Sequence, residues 1–136
     1  MIPQAIRTLV RALIIGLGAG ALVLGVGGRL IMRAITLATG GERELSLGGS
    51  LEVVLAGAFY GAVGAVLWVL TSRLPAAIRP ALTAVVLMGV VTLSDAARGA
   101  AGSIPAPGRY LAIAAFFPVM LVYAYLLDRL GRPRGR

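Results

Sequence analysis

Four long stretches of the chain contain no charged residue, and they limit the possible folds more than any other feature. They cover residues 12–28, 53–72, 80–94 and 110–127. A helix needs about 17 to 25 apolar residues to cross a bilayer, so the short third stretch is expected to continue through Asp95 to about Arg98. A membrane barrel would instead alternate polar and apolar residues in short segments. The sequence predicts an all-α, four-helix transmembrane bundle with short loops.

Composition agrees with a lipid environment. Of the 136 residues, 59% are hydrophobic and 13% are charged, whereas soluble domains carry about 25% charged residues. A chain of this length could not hide so much apolar surface from water. We predict a single membrane domain over residues 1–128 and a basic, disordered tail over residues 129–136. The expected spans lie at about residues 10–30, 51–72, 80–98 and 110–128.

The residue inventory excludes several kinds of chemistry. The chain has no Cys and no His, and all 13 of its basic residues are Arg. It therefore lacks the usual zinc and haem ligands, thiol nucleophiles and Schiff-base lysines. An intramembrane hydrolase with two aspartates would need Asp95 and Asp128 together, but the two are expected near opposite faces of the membrane. The chain is predicted to be non-enzymatic, with no cofactor and no metal.

The net charge of +8 indicates membrane topology rather than nucleic-acid binding, because the arginines stand at the ends of apolar stretches. With four spans, both termini and the second loop share one side, which holds eight arginines against five on the other. The positive-inside rule places the richer side in the cytoplasm. The prediction is a multi-pass protein of the plasma (inner) membrane with both termini cytoplasmic. The eight arginines are Arg7, Arg11, Arg73, Arg79, Arg129, Arg132, Arg134 and Arg136.

Small residues recur at four-residue spacing in two of the stretches. Gly16 and Gly20 share one face of the first span, and Gly57, Gly61 and Ala65 share one face of the second. Small residues let helix backbones approach closely in a membrane. One interpretation is packing within a single bundle. The other is a homo-oligomer interface, so the expected partners are the lipid bilayer and either a second copy or another membrane protein.

Charged residues at the outer ends of the spans form a second candidate site. They are Arg29, Arg33, Glu52, Asp95 and Arg98. Charges at membrane depth usually pair or line a wet cavity. One hypothesis is therefore a network that joins Asp95 to Arg98 and Glu52 to Arg29 or Arg33. The alternative is separate interfacial charges in contact with headgroups and water.

Thr92 and Ser94 stand beside Asp95 and form a candidate polar cluster, which could hold an ion or a chain of water molecules. Hydroxyl side chains in helices more commonly bond back to carbonyls of their own helix. Most aromatic residues lie near the ends of the stretches and are expected to act as interfacial anchors. They are Phe59, Tyr60, Trp68, Tyr110, Tyr123 and Tyr125.

Two short motifs resemble known families. Residues 28–33 (GRLIMR) and 45–51 (LSLGGSL) resemble an uncharacterised family of small four-span bacterial membrane proteins, which implies a bacterial membrane location. Gly49-Ser50-Leu51 with Gly57 and Phe59, and Thr92-Leu93-Ser94, are faintly similar to fluoride channels. The chain departs from those channels at Val54, where they have a pore asparagine, and at Leu93, where they have phenylalanine. Small multidrug exporters carry a carboxylate midway along the first span, which residues 12–28 lack.

Two functions remain open at this point. The first is a non-enzymatic membrane protein that packs with itself or with a larger membrane complex. The second is a small oligomeric ion channel or transporter with an outer-side charged site. Residues 29–39 have two possible placements, since they could extend the first helix or lie flat at the interface.

Overall fold

The computed structural model describes residues 3–38, 47–97 and 106–132, and every element in them is a helix. The elements are α1 (Gln4–Ala19), a π-helical segment (Gly20–Val26), α2 (Gly27–Ala38), α3 (Leu47–Leu70), a 3-10 turn (Thr71–Arg73), α4 (Arg79–Ala97) and α5 (Ala106–Gly131). The predicted all-α bundle of four helices is confirmed, because α1, the π-helical segment and α2 form one continuous helix.

The helices follow one another around the bundle, each antiparallel to the next. The first helix packs against α3 and α5, and α4 packs against the same two helices from the other side. α1 therefore begins, and α5 ends, beside the connection between α3 and α4. We call this the Asp128 end of the bundle and the opposite end the Glu52 end.

Proline marks where two of the helices begin. Pro80 and Pro107 are the second residues of α4 and α5. Proline is tolerated in the first turn of a helix, because its missing N–H would have no partner inside the helix there. The four expected spans fall on the first helix, on α3 with the 3-10 turn, on α4 and on α5, apart from residue 98, which is outside the described part of the chain.

Three helical stretches are long and apolar enough to cross a membrane. They are Gln4–Ala38, Gly48–Arg73 and Ile113–Gly131, and a shorter apolar helix covers Arg79–Ser94. Large apolar side chains on the outside of the bundle are exposed on all of them; Leu22, Leu55, Leu93 and Val122 are examples. The core is small and lies mainly between α3, α4 and α5, where Ala65, Leu87, Tyr123 and Leu127 are fully buried.

The structure decides one boundary that the sequence left open and differs from the expectation at another. The question about residues 29–39 has a direct answer up to Ala38, because α2 extends the first helix without a break. At the other end of the chain, residues 129–131 continue α5 instead of starting a disordered tail. Their helix is held there by a hydrogen bond from Arg11 of α1 to the Leu130 carbonyl and by the pairing of Arg132 with Asp128 of the preceding turn.

Candidate functional site: a glycine seam, a cavity and two charged ends

The first helix and α3 meet at a seam of glycines. A β-carbon built on Gly20 would lie 2.6 Å from the Cα of Gly61, and one built on Gly16 would lie 2.6 Å from the Gly61 carbonyl oxygen. Real β-carbons never approach other atoms so closely, so only glycine fits here. The two stripes of small residues, including Ala65, therefore face each other inside one chain.

The π-helical segment extends this seam by one further glycine. Gly25 lies five residues after Gly20, and a π-helix has hydrogen bonds between residues five apart. Both glycines therefore face α3, and a β-carbon on Gly57 would lie 2.6 Å from the Cα of Gly25. In an uninterrupted α-helix of 3.6 residues per turn, Gly25 would point well away from that face.

A cavity of about 210 Å³ lies beside the π-helical segment, among all the main helices of the bundle. Its size is below the range of roughly 300–1,000 Å³ typical of pockets for larger ligands. The lining is mostly apolar, and Tyr60 is the one residue with a polar side chain among those that line it. The lining residues are Leu24, Met32, Val53, Ala56, Gly57, Tyr60, Val91, Phe116 and Met120.

The hydroxyl groups of the predicted polar cluster on α4 mostly donate hydrogen bonds to carbonyls of their own helix. The Thr92 hydroxyl donates to the carbonyls of Met88 and Gly89, each at 3.0 Å. The Ser94 hydroxyl donates to the Val91 carbonyl at 2.8 Å and lies 2.6 Å from the Tyr60 hydroxyl. Ser94 thus joins α4 to α3 next to the cavity, a contact that the sequence did not reveal.

The proposed network at the Glu52 end is not formed among the described residues. Glu52 and Arg33 are exposed, and neither they nor Arg29 take part in a salt bridge of the described chain. The Nε of Arg29 is buried and has no hydrogen-bond partner there. Arg98 and the side chain of Asp95 lie outside the described part, so their pairing stays a prediction.

The Asp128 end instead carries a dense polar cluster. Asp128 is only 4% exposed. One of its oxygens accepts hydrogen bonds from Trp68 Nε1 and Arg79 Nη1, both at 3.1 Å. Its second oxygen accepts a bond from Arg132, one helical turn later. Two guanidinium groups and an indole therefore compensate one carboxylate that would be costly to bury alone.

Arg79 extends this cluster to the connection between α3 and α4. Its Nη2 donates to the carbonyls of Ser72 and Leu74, each at 2.9 Å. Its guanidinium carbon lies 5.8 Å from the centre of the Trp68 ring, which adds a cation–π contact. This one side chain thereby fastens the 3-10 turn to the last turns of α5.

The expectation that aromatic residues act as interfacial anchors is wrong for two of them. Tyr123 is fully buried and donates a hydrogen bond to the Gly61 carbonyl at 2.5 Å. Trp68 is 5% exposed and packs over Gly131, where a β-carbon would lie 2.9 Å from the ring. Their hydroxyl and indole N–H groups find partners inside the protein, which allows burial.

Sequence reasoning missed the Asp128 cluster because its members stand far apart along the chain and look like ordinary end charges. The only signal was the spacing of Asp128 and Arg132, which are four residues apart on one helix. No group of three or more His, Cys, Asp or Glu residues within the described ranges could hold a metal ion.

Comparisons of the chain with models of protein families, with curated proteins and with solved structures find no match. The two family resemblances drawn from short motifs therefore stay predictions.

Proposed function

We propose that the chain is a non-enzymatic, four-span protein of the bacterial inner membrane that acts by packing with itself or with a larger membrane complex. The observation that carries this proposal is the distribution of polarity. Exposed large apolar side chains surround the middle of all the main helices, while the charged side chains gather at the two ends. A surface of that kind is suited to lipid tails in the middle and to headgroups and water at both ends.

The non-enzymatic part of the proposal rests on chemistry. The chain lacks His, Cys and Lys, and Asp128, the one buried carboxylate among the described side chains, accepts hydrogen bonds from two arginines and Trp68. A carboxylate held in this way supports the structure and is poorly placed to act as a general base, which must reach a substrate proton.

The glycine seam limits which surfaces of the protein are available to bind a partner. Gly16, Gly20, Gly57 and Gly61 are used between helices of one chain, so self-association would need a different face. The outer side of α4 is one such face, since Val85 and Leu93 are exposed there.

Membrane insertion and orientation are tested by single-cysteine labelling, since the chain has no native Cys to replace. Gly48→Cys and Ala76→Cys place thiols at exposed positions of the Glu52 end and the Asp128 end, respectively. In intact spheroplasts we expect an impermeant maleimide to label Gly48→Cys, and Ala76→Cys only after permeabilisation. The reverse pattern would overturn the orientation. Protein found in the soluble fraction would overturn the membrane assignment.

Self-association is tested by the mass of the purified protein in nanodiscs. A defined homo-oligomer would support packing with further copies, and substitution of Val85 and Leu93 by Ser should then disrupt it. A monomer would contradict self-association and point to a different membrane protein as partner, which crosslinking in cells can identify.

The cavity favours a second candidate function, the passage of a small solute or ion. Its position beside a π-helical segment supports this candidate, because such segments are frequent at functional sites. Flux into liposomes that contain the purified protein tests it. Transport that is lost in Tyr60→Phe and Glu52→Gln would favour the channel, whereas no flux in the wild-type protein would exclude it for the solutes tested.

A further inference from the structure

A groove of about 410 Å³ runs along the outside of α1 near the Asp128 end. Its described walls are two neighbouring rows of side chains at four-residue spacing. One row consists of Ile6, Val10 and Ile14, and the other consists of Arg7, Arg11 and Ile15. The volume falls within the range typical of small-molecule sites, and the groove lies outside both the cavity and the Asp128 cluster.

The two arginines lie toward one end of the groove. Arg7 and Arg11 line its outer half mainly with their alkyl stems, because the surface inside the groove is almost entirely apolar, and Ile14 and Ile15 line its inner half. The Nη2 of Arg11 donates to the Leu130 carbonyl in the last turn of α5, at 3.3 Å. The arginine end of the groove therefore lies level with the end of the apolar stretch Ile113–Gly131, and the isoleucine end lies beside that stretch.

The positive charges of Arg7 and Arg11 are not neutralised by a carboxylate among the described residues. In the part of the chain that the structure describes, both salt bridges are made to Asp128, by Arg79 and Arg132. Neither Arg7 nor Arg11 pairs with a carboxylate there. Two exposed guanidinium groups one helical turn apart suit a phosphate, which accepts several charge-assisted hydrogen bonds.

We propose that this groove binds one anionic phospholipid, with the phosphate at Arg7 and Arg11 and an acyl chain along Val10, Ile14 and Ile15. The proposal rests on the proposed function, because it needs α1 to lie in a membrane. A soluble phosphate would use only the two guanidinium groups, whereas a lipid would also cover the apolar surface of the groove. Basic sites at the cytoplasmic ends of spans recognise anionic headgroups in this way.

The test measures which lipid stays bound to the full chain. The protein is purified into nanodiscs that contain phosphatidylglycerol and phosphatidylcholine with identical acyl chains, and retained lipids are counted by native mass spectrometry. The wild-type chain should retain phosphatidylglycerol preferentially. Arg7→Gln with Arg11→Gln should reduce that preference, by roughly fivefold for each arginine. Arg7→Gln alone should show the effect without disturbing the bond from Arg11 to Leu130.

Arg73→Gln with Arg129→Gln is the matched control, since it removes the same charge from exposed positions at the same end but outside the groove. It should leave the lipid preference within about twofold. Val10→Trp should weaken lipid retention by filling the groove without a change of charge.

Three results would overturn the inference. One is an unchanged preference in the Arg7 and Arg11 variants, and another is an equal loss in the control, which would indicate diffuse charge attraction. The third is displacement of the lipid by millimolar glycerol phosphate, which would mean that a headgroup alone occupies the site. Each of these outcomes can occur in a protein that fractionates with membranes, so they are separate from a failure of the proposed function.

Discussion

The glycine seam and the Asp128 cluster hold the same bundle together by opposite means. The seam joins α3 to the first helix where side chains are absent, so that backbone meets backbone. The cluster joins α3, α4 and α5 through long polar side chains that converge on one carboxylate. The seam depends on shape and is disrupted by an added side chain, whereas the cluster depends on charge compensation and is weakened by the loss of a buried partner.

The strongest way to break the seam is to add a side chain to it. Gly61→Val would place a β-carbon against the Gly16 carbonyl and 2.7 Å from the Cα of Gly20. Both neighbours are backbone and cannot move aside, so we expect a loss of at least about 3 kcal/mol of stability, or failure to fold. Unfolding in mixed detergent and SDS micelles, followed by circular dichroism, measures the loss.

Gly18→Ala is the control for this prediction. A β-carbon there would meet no other heavy atom within 4 Å, and alanine favours a helix over glycine by about 0.5–1 kcal/mol. The control should unfold at the wild-type SDS fraction or later. A Gly61→Val protein as stable as wild type would mean that the helices do not meet at this seam.

The corresponding change in the cluster is Asp128→Asn, which keeps the shape and removes the charge. Arg79, whose side chain is 12% exposed, would lose its counter-charge, and breaking a buried pair costs about 3–5 kcal/mol. We expect a value near the lower limit, because the asparagine oxygen can still accept a hydrogen bond. Glu52→Gln, at an exposed site without a described salt bridge, should change stability by less than about 0.5 kcal/mol.

The two arginines of the cluster should contribute unequally. Arg79→Gln would remove bonds to Asp128, Ser72 and Leu74 at once, and we expect a loss of about 2 kcal/mol. Arg132 is 50% exposed, so Arg132→Gln should cost less than about 1 kcal/mol. Equal losses in the same unfolding assay would contradict the view that burial sets the strength of each bond.

The last prediction concerns a single hydrogen bond, between α5 and the glycine seam. Tyr123→Phe removes only the hydroxyl that donates to the Gly61 carbonyl beside the seam. The loss should be about 1 kcal/mol, which is typical of one hydrogen bond. Tyr125→Phe, on an exposed side chain of the same helix, should have no measurable effect, and a loss there would show that the assay reports general damage to α5.

This comparison also separates what the sequence could predict from what it could not. The helices and the stripes of Gly16, Gly20, Gly57 and Gly61 follow from local periodicity, which is set by neighbours along the chain. The role of Gly25 could not be predicted, because a glycine five residues after Gly20 faces α3 only in a π-helix. The cluster of Trp68, Arg79 and Asp128 could not be predicted either, because only tertiary folding brings these residues together.

Trp68 is the single tryptophan of the chain, and it lies against a carboxylate, a guanidinium and the end of α5. The protein therefore carries a built-in optical reporter at the point where three helices meet. Indole emission depends on nearby charge and on access to water, so displacement of α5 from the turn between α3 and α4 would change the fluorescence of the unlabelled chain. A partner that docks at this end could be detected by a change in the intrinsic tryptophan emission, without any added label.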